Sequence, residues 1–309
     1  MWKFIRSRSP KWIKSAVKHT LVAAKRCRAA LQPRFRFVEL QPNLKIRAYR
    51  DSVLCQAIAA GAFECAEQDF VRRFLREGDI FVDIGANIGL FTLIGARAVR
   101  DSGRVVSLEP CEKTFERLLE NVADNQITNV DCHRLAVSDE TGCSTFHVSL
   151  DGYDAWNSFA KPTLGKRFAT KNVTTIRWDD FAKNRDLVGR VQLMKVDIEG
   201  WEYQFLAGAK STLTREDAPV LLVEFTEQNA KAAGNRCRDV YSRLEEFGYG
   251  MYRYHADPPK MKRAENLDHF EYVNLYAIKD NKLEIVIDRI GGAIVGCDRS
   301  NSAPAVATS

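Results

Sequence analysis

The chain has 309 residues, of which 45% are hydrophobic and 28% are charged. These values are typical of a globular protein, and the length suffices for one large α/β domain with an appendage. No stretch approaches the roughly 18 consecutive apolar residues of a membrane-spanning helix, so we do not expect an integral membrane protein. Eight cysteines are scattered without a CxxC pair. Because their spacing fits neither a zinc ribbon nor a small secreted disulfide framework, we predict a reducing, cytoplasmic environment.

The net charge of +6 is unevenly distributed. Residues 1–38 contain eleven Lys or Arg and no acidic residue, whereas the remainder holds 35 basic and 40 acidic residues. Apolar residues between positions 12 and 24 recur at helical spacing, which predicts a basic amphipathic arm. Such an arm is typical of a segment docked peripherally on an anionic membrane. A solvated tail, a helix packed on the body, an organellar transit peptide and a nucleic-acid-binding arm are the alternative interpretations.

The body begins with a mixed region and continues as a regular alternation. We assign residues 39–77 to an N-terminal strand-and-helix cap, in which 65–76 has the periodicity of an amphipathic helix. The next segments alternate between strand-like and helical patterns, at 80–84, 90–100, 105–108, 112–125 and 130–135. This βαβαβ order predicts a parallel sheet that is covered on both faces.

An insert at about 138–180 interrupts the alternation, which then resumes. The later predicted elements are strands at 191–196 and 220–225, helices at 201–213 and 229–247, and a closing hairpin of 251–254 and 272–278 around Pro258 and Pro259. We therefore assign 78–280 to one domain. Residues 281–309 are assigned to a C-terminal tail, predicted to be flexible because its end is rich in Gly, Ser and Ala.

The segment FVDIGANIGL at 81–90 is the most informative one. A strand there ends in a glycine turn that opens a helix, which is where open parallel sheets bind nucleotide-like ligands. Asp83 would repel a pyrophosphate but attracts a ligand that carries an ammonium or sulfonium group. Asn87 stands where a GxGxxG motif has its second glycine, which disfavours a nicotinamide dehydrogenase.

Glu109 ends the second predicted strand, where a carboxylate can accept both hydroxyl protons of a ribose. Together, Asp83 and Glu109 favour a cationic, ribose-bearing ligand, and S-adenosylmethionine has that chemistry. Each residue also has a structural alternative: Asp83 as a helix cap and Glu109 as a partner in a surface salt bridge.

Four motifs resemble the FkbM-type family of class I S-adenosylmethionine-dependent methyltransferases: GDIFVDIGANIG at 78–89, LEP at 108–110, TTIRWDDF at 174–181 and KVDIEGWE at 195–202. The resemblance implies an α/β fold, with a Rossmann-like seven-stranded methyltransferase sheet, a reversed last strand and helices on both faces. It also implies methyl transfer, usually to a hydroxyl oxygen. The cofactor-binding residues that it implies are Glu64, Asp83, Gly85, Ala86, Asn87, Gly89, Glu109, Pro110, Ala136 and Val137, of which the last two would flank the adenine.

Methyl transfer to an alcohol requires in-line alignment, exclusion of water, and a base or metal that activates the hydroxyl. Lys195 and Asp197 lie two residues apart and point to one side of the predicted strand, and Glu199 lies just beyond its carboxyl end. We expect Asp197 or Glu199 to act as general base and Lys195 to orient the acceptor or the other carboxylate. Glu224, at the end of the next strand, is a further candidate.

Two alternatives bear on this segment. Its acids could instead form a structural turn that caps the following helix. Two nearby carboxylates could also hold Mg²⁺, but without a clear third ligand we predict no metal site.

Trp156, Asn157 and Ser158 in the insert are predicted to bind the acceptor, because an aromatic face beside polar groups suits a sugar. A loop that merely covers the sheet is the alternative. The leading hypothesis is O-methylation of a small or saccharide-like acceptor. The alternatives are a nucleic-acid methyltransferase, which the acidic body disfavours, and a non-catalytic cofactor-binding or scaffold protein.

Overall fold

The computed structural model describes residues 33–153, 157–160, 167–264 and 270–295. Fourteen strands are found in these ranges: β1 (Phe35–Gln41), β2 (Leu44–Tyr49), β3 (Ile80–Ile84), β4 (Arg104–Leu108), β5 (Val130–His133), β6 (Ala136–Ser138), β7 (Gly142–Ser149), β8 (Phe168–Arg177), β9 (Leu193–Val196), β10 (Val220–Phe225), β11 (Tyr249–Ala256), β12 (Pro259–Arg263), β13 (Val273–Lys279) and β14 (Ala293–Val295). The same ranges contain ten helices: α1 (Val53–Ala59), α2 (Cys65–Phe74), α3 (Leu90–Val99), α4 (Glu112–Asp124), α5 (Trp178–Asn184), α6 (Glu202–Gly208), α7 (Lys210–Leu213), α8 (Glu227–Ala232), α9 (Cys237–Glu246) and α10 (Asp280–Ile290).

The central sheet has nine strands, in the order β14-β12-β11-β13-β10-β9-β3-β4-β5. Strands β5, β4, β3, β9 and β10 run parallel, and β13 is antiparallel to both of its neighbours, β10 and β11. The predicted parallel sheet with a reversed last strand is therefore confirmed. Two short strands, β12 and β14, extend its edge beyond the predicted seven.

Alternate residues of the central strands pack on opposite faces of the sheet. Phe81, Val105 and Leu193 belong to the apolar cluster beneath α2, α3 and α10. Val82 and Met194 belong to the cluster beneath α5, α6 and α9. Because both faces are covered, the central strands are apolar along almost their whole length, as in other parallel sheets. A polar side chain in these strands therefore needs a partner, and such side chains concentrate at the carboxyl ends.

The insert between β5 and β9 forms a separate three-stranded sheet in the order β6-β8-β7. The predicted helix at 229–247 is divided into α8 and α9, because Gly234 has a φ of +82°, which an α-helix cannot contain. Pro259 was predicted to lie in the loop of the closing hairpin. It instead begins β12, which pairs with β11.

The two ends of the domain differ from the predicted boundaries. Residues 35–38 of the predicted arm belong to β1, which pairs with β2. The predicted flexible tail contains α10, whose Val286 and Ile290 are buried against the domain core, and then β14. The apolar residues of α10 recur at helical spacing, so they lie on one face of the helix, and this face packs on the sheet. This packing explains why the segment forms a helix rather than a flexible tail. Residues 1–32 and 296–309 lie outside the described residues.

None of the helices in the described part of the chain has both the length and the apolar character needed to cross a membrane.

Candidate active site

The carboxyl ends of β3, β4, β9 and β10 surround a cavity of about 310 Å³. Part of the lining is apolar and includes Leu108, Leu135, Ala136, Val137 and Phe146. The charged lining residues are Glu109 and a group that we call the acidic chamber: Glu64, Asp83, Lys195, Asp197, Glu199 and Glu224. The cavity therefore offers an apolar pocket for a flat ring and an acidic chamber for a cationic group.

The glycine turn after β3 forms one wall of the cavity. The backbone N–H groups of Gly85 and Ala86 donate to the carbonyl oxygen of Leu108, at 2.9 and 3.1 Å. Gly85 has a φ of +80°, and a Cβ atom there would lie 1.8 Å from the carbonyl oxygen of Asp197. Only glycine fits this position, because its missing side chain lets the turn approach the end of β9.

Glu109 is buried at the end of β4 and binds three donors. Its Oε2 accepts from the Asn87 N–H at 2.8 Å, and its Oε1 accepts from the Cys111 N–H at 2.9 Å and the Thr114 hydroxyl at 2.8 Å. Burial raises the pKa of Glu109 to about 7, against the lowering effect of these bonds. A carboxylate has about four acceptor positions, so one position on Oε2 remains for a ligand hydroxyl.

Asp83 and Lys195 lie side by side in the register of β3 and β9. The Asp83 Oδ2 accepts from the Thr92 hydroxyl at 2.6 Å, and burial raises the pKa of Asp83 while Lys195 opposes that shift. The Lys195 ammonium lies 2.6 Å from Asp197 Oδ2 and 4.7 Å from the centre of the Phe91 ring. Burial by itself lowers the pKa of Lys195, but the surrounding carboxylates outweigh burial and raise it. Lys195 is therefore a permanent buried cation.

Three carboxyl groups meet beside Lys195 at the ends of β9 and β10. An oxygen from each of Asp197, Glu199 and Glu224 lies within 4.8 Å of the others. Burial acts to raise the pKa of Asp197, but Lys195 and a hydrogen bond with Glu224 bring it below its usual value. Burial and neighbouring carboxylates raise the pKa values of Glu199 and Glu224 well above the usual range. Of the three, Asp197 therefore loses its proton most readily, and Glu199 and Glu224 retain theirs more strongly.

The loop after β9 holds Glu199 in a defined place. Glu199 has a φ of +54°, its carbonyl oxygen accepts from the Ser158 hydroxyl at 2.7 Å, and its Oε2 accepts from the Asn229 amide. The N–H groups of Ile198 and Gly200 donate to Glu202 Oε1, at 3.2 and 3.3 Å. Glu202 therefore stabilises this turn, which leaves the side chains of Asp197 and Glu199 in the cavity.

Glu64 reaches the same chamber from the start of α2. It has a φ of +43°, and its Oε1 accepts from the Tyr272 hydroxyl at 3.0 Å and the Asn274 amide at 3.3 Å. Burial raises the pKa of Glu64 to about 7, helped by Asp197 and opposed by Lys195. A positive φ at a residue other than glycine is strained, and such strain occurs mostly at functional sites.

A family model described as the methyltransferase FkbM domain matches residues 83–251 of this chain. The chain belongs to the FkbM methyltransferase family. The match runs from the end of β3 to the early part of β11, and so includes the carboxyl end of every strand that lines the cavity. This family uses S-adenosylmethionine as its methyl donor.

Individual relatives match the FkbM chain over shorter or more divergent regions. "Methyltransferase 1" of Beauveria bassiana is 27% identical over 147 residues, which span 43% of this chain and 59% of that protein. A 23S rRNA (uracil(1939)-C(5))-methyltransferase of Acinetobacter baylyi is 40% identical over 57 residues, spanning 18% of this chain and 12% of that protein. Among solved structures, Aeropyrum pernix fibrillarin in complex with natively bound S-adenosyl-L-methionine has a TM-score of 0.39 and 17% identity, covering 80% of this chain and 85% of that one.

The lining of the cavity in this FkbM domain suits the chemistry of the cofactor. The apolar part of the lining suits an adenine, Glu109 has one acceptor position for a ribose hydroxyl, and the acidic chamber suits the ammonium and sulfonium groups. Glu64 Oε2 is shielded from solvent and has no hydrogen-bond partner among the described residues. A shielded carboxylate oxygen of this kind needs a cation or a donor from a ligand.

The structure brings most of the residues predicted for the site together. Those lining the cavity are Glu64, Asp83, Gly85, Ala86, Asn87, Glu109, Pro110, Ala136, Val137, Asn157, Ser158, Lys195, Asp197, Glu199 and Glu224. Gly89 does not line it, because it packs on α4, where a Cβ atom would lie 2.5 Å from Leu118 Cδ1. Trp156 lies outside the described residues. Asn157 also has a local structural role, since its Oδ1 accepts from the Ser149 N–H at 2.9 Å.

Sequence reasoning missed several residues of the FkbM cavity. Asn229 and Tyr272 line it, and Asn274 holds Glu64 from β13. The position of Asn229, shortly after the end of a predicted parallel strand, was a usable signal. Tyr272 and Asn274 had no such signal, because they come from the reversed strand and the loop that precedes it.

Proposed function

We propose that this chain transfers the methyl group of S-adenosylmethionine to a hydroxyl oxygen of a small or saccharide-like acceptor. The observation that carries the proposal is the presence of Glu199 and the Lys195–Asp197 pair in the same cavity as Asp83 and Glu109. One cavity thus combines groups suited to a cationic, ribose-bearing donor with groups suited to proton removal from an alcohol.

When bound, S-adenosylmethionine supplies an electrophilic methyl group. Glu109 is positioned to accept a ribose hydroxyl, and the glycine turn brings the backbone within reach of the donor. Glu199 is the better general base, since its raised pKa gives it a higher affinity for the acceptor proton. Asp197 is the poorer base, because Lys195 and Glu224 already occupy its oxygens. We assign Lys195 to orienting Asp197 and the acceptor.

The affinity for S-adenosylmethionine is expected to depend on pH through Glu109. The pKa of about 7 means that Glu109 is largely ionised near pH 8 and largely protonated near pH 6. Because a ribose hydroxyl donates to the ionised form, the affinity should fall about tenfold between about pH 8 and about pH 6. Calorimetry with S-adenosylmethionine measures this effect, and Glu109→Gln should bind more weakly and lose this component of the pH dependence.

The exposed Glu112→Gln, on α4, is the matched control and should bind as the wild type does. Folded wild-type protein that binds neither S-adenosylmethionine nor S-adenosylhomocysteine would contradict the proposed function.

Turnover should depend on Glu199. With methyl-labelled S-adenosylmethionine and a panel of hydroxylated small molecules and saccharides, Glu199→Gln should lower transfer by about 10² or more. Cofactor affinity should be retained, because we assign Glu199 to the acceptor and Asp83 and Glu109 to the donor. Full turnover in both Glu199→Gln and Asp197→Asn would refute the assignment of the base.

The same assay separates the alternatives. Transfer of label to RNA or DNA, but not to the small acceptors, would support a nucleic-acid methyltransferase, although the acidic chamber disfavours phosphates. Cofactor binding without transfer to any acceptor would support a scaffold role. The basic arm supports peripheral docking of a cytoplasmic protein on an anionic membrane, which sedimentation with anionic and neutral vesicles would test.

A further inference from the structure

The three carboxyl groups of Asp197, Glu199 and Glu224 have the spacing of a cation-binding site. Their nearest oxygens all lie within 4.8 Å of one another. Oxygen ligands of one Mg²⁺, Mn²⁺ or Ca²⁺ ion are about 3 to 5 Å apart, since each metal–oxygen bond measures about 2.0 to 2.6 Å. Asp197 and Glu224 lie at the ends of the adjacent strands β9 and β10, and Glu199 lies in the loop after β9, where Ser158 and Asn229 hold it.

A second observation from another part of the chain points into the same chamber. Asn274 lies directly opposite Glu224 in the register of β10 and β13, and its amide donates to Glu64 Oε1 at 3.3 Å. Glu64 is thereby tied to β13, the strand that pairs with the strand of Glu224. Its other oxygen, Oε2, is shielded from solvent and has no hydrogen-bond partner among the described residues. A bound cation would compensate this oxygen.

The excess of carboxyl groups along the whole cavity is compatible with a further bound cation. Among the described residues that line the cavity there are six carboxyl side chains and one basic side chain, Lys195. Lys195 already forms an ion pair with Asp197. S-adenosylmethionine adds a net charge of about +1, because its carboxylate offsets one of its two cationic groups. The remaining carboxyl groups must bind protons or a further cation.

We propose that Asp197, Glu199 and Glu224, supported by Glu64, bind one hard divalent cation such as Mg²⁺ or Mn²⁺. This reverses the sequence-based expectation of no metal, because the structure brings Glu224 within 4.8 Å of Asp197 and Glu199 as a third carboxylate. The inference rests on the proposed function in one respect: the cation would lower the pKa of the acceptor hydroxyl. This effect would replace the raised pKa of Glu199 as the aid to proton removal, because a bound cation lowers the pKa of its carboxylate ligands. The binding site itself does not require a bound donor or acceptor.

The test uses Mn²⁺ alone as the probe, with the full chain and without S-adenosylmethionine or acceptor. Calorimetry and the electron paramagnetic resonance signal of free Mn²⁺ are expected to show one ion bound per chain, with a dissociation constant below about 1 mM. Asp197→Asn and Glu224→Gln should each weaken binding about tenfold or more, whereas Glu112→Gln should have no effect. Mg²⁺ should displace the bound Mn²⁺.

Two results would overturn the proposal. One is that the wild-type protein binds no Mn²⁺ at concentrations up to about 10 mM, a measurement that does not depend on any variant. The other is unchanged binding in folded Asp197→Asn and Glu224→Gln, with Glu199→Gln as a third variant if either of these does not fold. Binding of S-adenosylmethionine by the same protein in the presence of a chelator is measured separately. Absence of Mn²⁺ binding by a wild-type protein that binds S-adenosylmethionine would refute the metal site only. Binding of Mn²⁺ by a wild-type protein that does not bind S-adenosylmethionine would contradict the proposed function.

Discussion

Gly85→Ala is expected to destabilise the protein by about 3 kcal/mol or more and to abolish binding of S-adenosylmethionine. The added Cβ would lie 1.8 Å from the carbonyl oxygen of Asp197, and the φ of +80° is unfavourable for alanine. Backbone atoms form the obstacle, so no side-chain rotation relieves the clash. The turn after β3 must therefore move away from the end of β9, which displaces Asp197 from its place in the cavity.

Urea denaturation followed by circular dichroism measures the stability, and calorimetry measures cofactor binding under conditions where the variant is folded. Gly142→Ala is the matched control, because a Cβ atom there meets nothing within 4 Å and the residue is exposed. Its stability should change by less than about 0.5 kcal/mol. If Gly85→Ala were as stable as the wild type, the turn and the end of β9 would not be in contact.

Lys195→Met is expected to be the most damaging change in the acidic chamber. The substitution keeps the approximate length of the side chain but removes the buried cation that lies 2.6 Å from Asp197. An uncompensated carboxylate remains beside Glu64 and Asp83. Removal of one partner from a buried ion pair costs about 3 to 5 kcal/mol. We expect the free energy of unfolding to fall by about 3 kcal/mol near pH 8, and methyl transfer to be lost.

The loss of stability in Lys195→Met should shrink as the pH falls toward 6. Without the ammonium, burial dominates at Asp197 and Glu64, and their folded-state pKa values rise above the unfolded values. The folded variant then binds more protons than its unfolded chain, so its stability increases on acidification. Denaturation at about pH 8 and about pH 6 tests this dependence.

The control for Lys195→Met is Lys113→Met, which removes an ion pair with Asp51 in which both side chains are about half exposed. An exposed pair contributes less than about 1 kcal/mol, and the control should show little dependence on pH. If the loss of stability in Lys195→Met were equal at both pH values, altered packing rather than charge would be its cause.

The parts of the site that the sequence predicted share one property: they lie at or just after the ends of central parallel strands. Asp83, Glu109, Asp197 and Glu224 follow apolar runs, and the carboxyl ends of parallel strands converge at one edge of the sheet. The glycine turn could also be predicted from the sequence, because a strand followed by glycines and an apolar helix has few other interpretations.

The hydrogen-bond partners of the site residues could not be predicted from the sequence. Glu64 lies outside the central strands, and its bonds to Tyr272 and Asn274 join residues separated by 208 and 210 positions. Glu109 was expected to accept both ribose hydroxyls, yet three protein donors already occupy it. Which donors bind to a carboxylate depends on the local geometry of the fold, and the residue types alone do not specify that geometry.

The amino-acid sequence by itself determined the fold class, the family, and which strand ends carry acids, because hydrophobic periodicity and motif spacing are local properties of the chain. Only the tertiary structure decided that Asp197, Glu199 and Glu224 meet in one chamber with Lys195 and Glu64. That convergence depends on the register of β9, β10 and β13 and on the approach of α2, which are contacts between distant segments. The pKa values of the same acids follow from burial, and burial exists only once the sheet and its covering helices have assembled.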